Sequence, residues 1–253
     1  MKIIGVIQAR INSSRLPGKV LLEIQGKPIL WHIYNRLQKC KLLDSVVIST
    51  GESNKNKQII DFANQNKIPI FVGSEDDLIN RLYKTAKNFE ASAIVRITAD
   101  CPLVDPDLLD QLLREFIDNE NTFDIITNNI VRTYPHGLDL EVYSTKILEK
   151  LDKEMIPELR EWFALYILKN TSKFRLLNKK HSVDLSNHRW TIDYPEDYEF
   201  IKKIYDELYS KDQIFVMNDI LKLLQKKSQL LKINSKYIGI HNIDSPADKF
   251  YEV

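Results

Sequence analysis

Ile3-Ile4-Gly5-Val6-Ile7-Gln8-Ala9-Arg10-Ile11-Asn12-Ser13-Ser14-Arg15-Leu16-Pro17-Gly18-Lys19 opens the chain with an apolar run of strand length and passes straight into a loop with three cations and two hydroxyls. The run reaches Arg10 too early to be a signal peptide or a membrane span, which needs about 20 apolar residues. It reads as a buried first strand. Runs of the same kind recur at 46–49, 68–72, 93–97 and 123–127. Continuous rather than alternating hydrophobicity suits parallel strands covered on both faces. Between them, 28–40, 55–66, 76–89 and 105–118 carry apolar residues three or four apart, the pattern of amphipathic helices.

Strand and helix therefore alternate through the first half of the chain. This predicts an α/β fold with right-handed crossovers and a doubly wound, mainly parallel sheet, in which ligands bind beyond the carboxyl ends of the strands. After Asn128 the alternation loosens. A strand is expected at 138–143, helices at 147–151 and 157–170, strand-like segments at 174–177 and 190–192, and helices at 196–209 and 217–226. No repeat or low-complexity linker divides the chain. It reads as one domain over 1–253, with 215–253 forming a helix and a tail that carries Tyr237, Ile238, Ile240, Phe250 and Tyr251.

Of the 253 residues, 36 are Lys or Arg and 35 Asp or Glu, a net charge of +1. That balance lacks the positive field on which non-specific nucleic-acid binding depends, so an anionic ligand must be met by a local cluster. The two cysteines, Cys40 and Cys101, stand in unrelated contexts and suggest neither a metal site nor a disulfide. A cytoplasmic protein with reduced thiols and no membrane partner is the expectation.

The first loop offers what a triphosphate needs: backbone N–H groups, the Ser13 and Ser14 hydroxyls, and Arg10, Arg15 and Lys19 to neutralise charge. Neither a Walker loop nor a GxGxxG loop is present, because Val20 follows Gly18-Lys19 and no glycine stands five residues earlier. The alternative is a solvated basic loop. A second cluster, Thr98-Ala99-Asp100-Cys101-Pro102, ends a strand in a carboxylate, where a divalent cation bridging phosphates would be held. Asp105, just before Pro106, is the better cap for the following helix, which leaves Asp100 for other work. The third, Thr191-Ile192-Asp193-Tyr194-Pro195, repeats the spacing of Asp to Pro, although Asp193 could also be a cap. Two further stretches read as site walls: 73–81, where Ser74 and Asp77 could equally form a capping box, and 134–141, where Gly137 permits a tight entry to a strand beside His136, Asp139 and Glu141.

In this order the motifs resemble the cytidylyltransferase family that includes CMP-Kdo and CMP-acylneuraminate synthetases, and within it the SpsF-type branch of spore-coat polysaccharide biosynthesis. The resemblance rests on Gln8-Ala9-Arg10 through Lys19, Gly26-Lys27-Pro28-Ile29, Gly73-Ser74-Glu75-Asp76-Asp77, Thr98 to Leu103, Gly137-Leu138-Asp139-Leu140-Glu141 and Thr191 to Asp197. It implies a nucleotide-diphospho-sugar transferase-like, Rossmann-type fold with a mixed sheet, use of CTP with Mg²⁺, and transfer of CMP to a small acidic sugar such as Kdo or a nonulosonate. A phosphorylated or phosphonate acceptor is the alternative, and a nucleotide-binding regulatory protein without catalysis a further one.

Carried over by position, Arg10, Arg15 and Lys19 become triphosphate ligands. Ala9, Ser13, Ser14, Ser74, Asp77, Arg81, Thr98 and Ala99 line the nucleotide, and Asp100 and Asp193 hold the metal. His136, Asp139 and Glu141 face the acceptor, whose carboxylate could meet Arg132, Arg160 or Arg189. A homodimer is also implied. This chain departs from the Kdo synthetases at 98–102, where they carry a Gln-Gly-Asp-Glu-Pro type of run, and at 160–166, which holds no histidine.

Overall fold

Each apolar run named above becomes a strand in the computed structural model, which describes residues 1–13, 15–211 and 213–240. In chain order, β1 (Ile3–Ala9) leads to a short hairpin of β2 (Glu23–Ile24) and β3 (Lys27–Pro28), then α1 (Ile29–Leu37), β4 (Ser45–Thr50), α2 (Lys57–Gln65), β5 (Ile70–Val72), α3 (Leu78–Asn88), β6 (Ala93–Thr98) and α4 (Pro106–Asp118). The second half adds β7 (Ile125–Thr127), β8 (Glu141–Ser144), α5 (Thr145–Glu154), α6 (Phe163–Lys169), β9 (Leu176–Asn178), α7 (Pro195–Leu208) and α8 (Met217–Lys226). Ser14 and the tail beyond Ile240, with Phe250 and Tyr251, lie outside the described residues.

Seven strands form one sheet in the order β5-β4-β1-β6-β8-β7-β9. β8 alone runs against its neighbours. Because strand side chains alternate between faces, β1 splits its apolar residues: Ile3 and Ile7 join the layer that holds α1, α2, α4, α7 and α8, while Ile4 and Val6 join the layer of α3, α5 and α6. All four are at most 1% exposed, and each contributes roughly 1.5–3 kcal/mol by burial. The reversed β8 puts its first residue, Glu141, level with Arg96 of β6 and Thr127 of β7, near the edge where the parallel strands end.

Two expectations are corrected, and one element was not foreseen. Residues 190–192 do not form a strand: Trp190 N–H donates to the His136 carbonyl at 2.6 Å and Ile192 N–H to the Asp100 carbonyl at 2.9 Å, so the segment is shared between two loops and makes only an isolated bridge, His136 with Arg189. The helix expected over 157–170 breaks into a 3₁₀ turn, Pro157–Leu159, and α6. At that break Arg160 donates to the Asp152 carbonyl at 2.6 Å and pairs with the carboxylates of Asp77 and Asp152. The β2–β3 hairpin has no apolar run to announce it; Gln25 and Gly26, both at positive φ, make its two-residue turn.

Candidate active site

Two loops and one helix entry meet beyond the ends of β1 and β6. The first loop leaves β1 and is tied down behind, where Ile11 N–H donates to Asn56 Oδ1 at 3.0 Å and Asn56 Nδ2 to Glu75 Oε2 at 2.7 Å. Gly18, at φ +69°, then turns the chain into a 3₁₀ turn that starts at Lys19. Asp105 caps α4, accepting from the N–H groups of Asp107 and Leu108 at 2.9 and 3.1 Å. Asp100, as its neighbour's role suggests, is thereby left to face the loop. Asp193 caps nothing either, since Asp197 accepts the Asp193 and Tyr194 N–H groups at 3.0 and 3.1 Å.

Lys19 Nζ is the meeting point. It donates to Asp100 Oδ2 at 2.8 Å, to Asp193 Oδ1 at 3.0 Å and to the Ile192 carbonyl at 2.6 Å. Arg15 reaches the same Asp193 oxygen at 2.6 Å, and Arg189 the other Asp193 oxygen at 3.0 Å. Burial alone would raise the Asp100 carboxyl, but the charge and hydrogen bond of Lys19, with hydrogen bonds from Thr98 and Cys101, hold it well below the usual carboxylate range. Asp193 is opposed by burial and by Asp100, yet Lys19 and Arg15 hold it low too. Burial works against the Lys19 ammonium, and the two aspartates raise it nonetheless.

Arg10 turns the other way. It donates to Glu161 Oε1 at 2.6 Å and to the Glu75 carbonyl at 3.1 Å. Arg81, wholly buried, donates to the carbonyls of Ser74 and Glu75 at 2.5 and 3.1 Å. Asp77 caps α3 by accepting the Asn80 N–H at 3.0 Å, and Ser74 Oγ accepts from the Asp77 N–H at 3.1 Å. Glu161 is raised by burial against the pull of Arg10 and Arg81.

The reversed strand supplies a third group. Glu141 accepts from Arg96 at 2.7 Å, Tyr143 at 2.7 Å and Asn129 at 2.8 Å, and although buried its carboxyl is held low by Arg96. Asp139 pairs with Arg132 and lies 3.8 Å from His136 Nε2. Between this strand and α6 lies a cavity of about 350 Å³, polar at Thr127, Asn129, Arg132 and Glu141 and apolar at Ala164 and Leu168.

Residues 4–229 match the family described as Cytidylyltransferase. The chain belongs to that family. It is 35% identical to an uncharacterized protein of Methanocaldococcus jannaschii over 241 residues, 93% of this chain and 95% of the relative. The spore coat polysaccharide biosynthesis protein SpsF of Bacillus subtilis is more distant, 28% identical over 232 residues, with 88% and 94% covered. Among solved structures, a cytidylyltransferase from Leptospira borgpetersenii serovar Hardjo-bovis is 35% identical, covers 96% of this chain and 99% of its own and superposes with a TM-score of 0.86. A CMP:2-keto-3-deoxy-manno-octonic acid synthetase complexed with CTP shares the fold at 20% identity, with 82% and 99% covered and a TM-score of 0.59. This chain is thus a cytidylyltransferase-family enzyme, with the α/β fold and mostly parallel sheet that its strand pattern predicts.

Of the cytidylyltransferase residues expected from sequence, Arg15, Lys19, Asp100 and Asp193 come together. Ala9, Thr98 and Ala99 line the backbone around them, at the ends of β1 and β6. Arg10 does not join them, because its guanidinium is engaged on the α6 side. Arg81, expected at the nucleotide, has no exposed surface in this structure and holds the carbonyls of the 74–75 turn from behind. Arg132, Arg160 and Arg189 are all paired with carboxylates, and of the three only Arg132 lines the cavity between β8 and α6. Sequence reasoning missed Glu161, Arg96 and the Arg189–Asp197 pair, whose partners are distant in the chain or sit within a motif read for Asp193 alone. Among the described residues, no helix is long and apolar enough to cross a membrane.

Proposed function

We propose that this enzyme transfers CMP from CTP to a small acidic sugar, Kdo- or nonulosonate-like, with release of pyrophosphate. The observation that carries the reading is the convergence of Asp100 and Asp193 on one point beside a basic loop at the strand ends. The CMP-octonic acid synthetase of the same fold, complexed with CTP, supports the choice of nucleotide. The distant relative SpsF supports a role in surface polysaccharide synthesis.

The residues fit Mg²⁺. Asp100 Oδ2 and Asp193 Oδ1 lie 2.8 and 3.0 Å from the Lys19 ammonium, which shows that the pair accepts positive charge, and a small hard cation that keeps waters and phosphates needs only one or two carboxylates. Among the described residues no group of three or more His, Cys, Asp or Glu is arranged as a metal cage, so phosphate and water would complete the shell. Held by Asp100 and Asp193, Mg²⁺ would supply positive charge to the phosphate oxygens. Arg15, a third exposed on its side chain, and Lys19 neutralise the leaving pyrophosphate. The first loop is pinned at its start through Asn56 and Glu75, which limits how far its backbone must move to bring them to the phosphates. The acceptor hydroxyl attacks the α-phosphorus in line and gives up its proton to solvent, the bond from that phosphorus to the bridging oxygen breaks, pyrophosphate leaves with that oxygen, and the protein positions the reactants. Arg132, His136, Asp139 and Glu141 flank the acceptor side, with Arg132 to meet its carboxylate.

A pyrophosphate-release screen with Mg²⁺, crossing four nucleoside triphosphates with sugar acids, sugar phosphates and phosphonates, tests the proposal. Release with CTP and a sugar acid is expected. Release only with a phosphorylated or phosphonate acceptor would move the assignment to that class, and silence with tight CTP binding would favour a regulatory role.

A further inference from the structure

Asp193 is held from behind by Asp197, at the end of its own motif, and by Arg189 and Asn234, which lie outside it. Arg189, 3% exposed, donates from Nη2 to Asp193 Oδ2 at 3.0 Å and grips both oxygens of Asp197 at 2.9 Å. Asp197 has no exposed surface and accepts the Asp193 N–H, so the one Arg189–Asp197 pair fixes both the backbone and the carboxylate of Asp193. Buried charge pairs hold their geometry only when their remaining hydrogen-bonding capacity is met. Here the final donor comes from the C-terminal segment: Asn234 Nδ2, 3% exposed, donates to Asp197 Oδ1 and to the Arg189 carbonyl, each at 3.0 Å. The segment is seated by Tyr237, which stacks on Tyr194 at 3.9 Å between ring centres, 3° from parallel, and donates to Glu196 at 2.9 Å.

We infer that Asn234 is a positioning residue for the reaction: through Asp197 and Arg189 it sets the orientation in which Asp193 faces Lys19 and Asp100. The inference rests on the proposed role of Asp193. Asn234 touches no reacting atom; it acts on a group that does. Partners behind a metal-binding carboxylate commonly change metal affinity or activity by about 10–100-fold when removed.

The test uses the full chain and Mn²⁺ as a probe, with free Mn²⁺ read by electron paramagnetic resonance in the presence of CTP. Pyrophosphate release and thermal melting are followed in parallel. Asn234→Leu keeps the volume and removes both donors; Asn234→Ala serves if the leucine variant does not fold. The expected result is half-saturation at about tenfold higher Mn²⁺, with turnover reduced alongside, in protein that is folded at the assay temperature. Phe116→Leu, a core change outside this network, is expected to lower the melting temperature and leave Mn²⁺ binding unchanged. Wild-type Mn²⁺ binding in both Asn234 variants, with Asp193→Asn impaired, overturns the inference alone. Wild-type binding and turnover in Asp193→Asn overturns the role of Asp193 itself, and the inference with it.

Discussion

Lys19 Nζ stands 2.8 Å from Asp100 Oδ2, and that contact places an ammonium where two carboxylates converge, since the same nitrogen is 3.0 Å from Asp193. Like charges so placed repel unless a cation lies between them. Lys19→Met is therefore expected to destabilise the fold by about 2 kcal/mol, below the 3–5 typical of a fully buried broken pair because the Asp100 side chain is 25% exposed. A divalent cation should substitute for the lost charge. Urea unfolding with and without Mg²⁺ reads this: the variant should gain more from the metal than the wild type, and equal gains would separate the carboxylates from metal binding.

The same cluster sets a pH window. Asp100 and Asp193 are depressed in the folded state, so the stability they add is present above the ordinary aspartate value of 3.8 and is lost as pH falls through their lower folded values. Lys19 is raised, so its share is present below 10.5 and is lost above it. Glu161 has the opposite sign. Raised by burial, its carboxyl takes up a proton more readily in the folded state than in the unfolded one, so stability falls as pH climbs from 4.5 through the folded value. Glu161→Gln removes that decline: its advantage over the wild type should grow with pH above 4.5 and then level off. A constant difference across pH 4 to 8, measured by chemical denaturation, would show that ionisation of Glu161 is not the source.

The fold and half of the site were legible because both are local in sequence. A parallel strand buried on two faces shows as an unbroken apolar run, and the loop that follows is where an α/β sheet binds ligands. Asp100 stood out because Asp105 already had the capping role. What could not be read was long range. Arg10 and Arg15 occupy one loop, yet one faces Glu161, 151 positions on, and the other Asp193, 178 positions on, and no local pattern tells them apart. Segment 190–192 has strand composition, but its backbone partners are two separate loops.

Gly137 marks where the 134–141 segment meets the segment that carries Asp193. Its φ is +107°, and an added Cβ would lie 2.4 Å from the Trp190 carbonyl carbon, which is backbone and cannot swing aside. Gly137→Ala is expected to cost about 3 kcal/mol, from the strained dihedral and the clash together. The strain falls on the segment that carries Asp193, so turnover should fall along with the melting temperature. A variant with a wild-type melting curve would show that the two loops can separate without cost.

Arg132 permits the nucleotide and acceptor sides to be told apart by kinetics. It pairs with Asp139 and lines the cavity between β8 and α6, whereas Arg160 engages two carboxylates and Arg189 is almost wholly buried. A charged hydrogen bond is worth about 1.5–3 kcal/mol, or roughly 10–100-fold in affinity. Arg132→Ala should therefore raise KM for an acidic acceptor by that factor and leave KM for CTP unchanged. Arg160→Ala should instead act mainly on stability, because it strands the carboxylates of Asp77 and Asp152. The split is the decisive reading: a rise in the CTP KM equal to that for the acceptor would place Arg132 on the nucleotide side, and no rise in either would remove the cavity from the reaction.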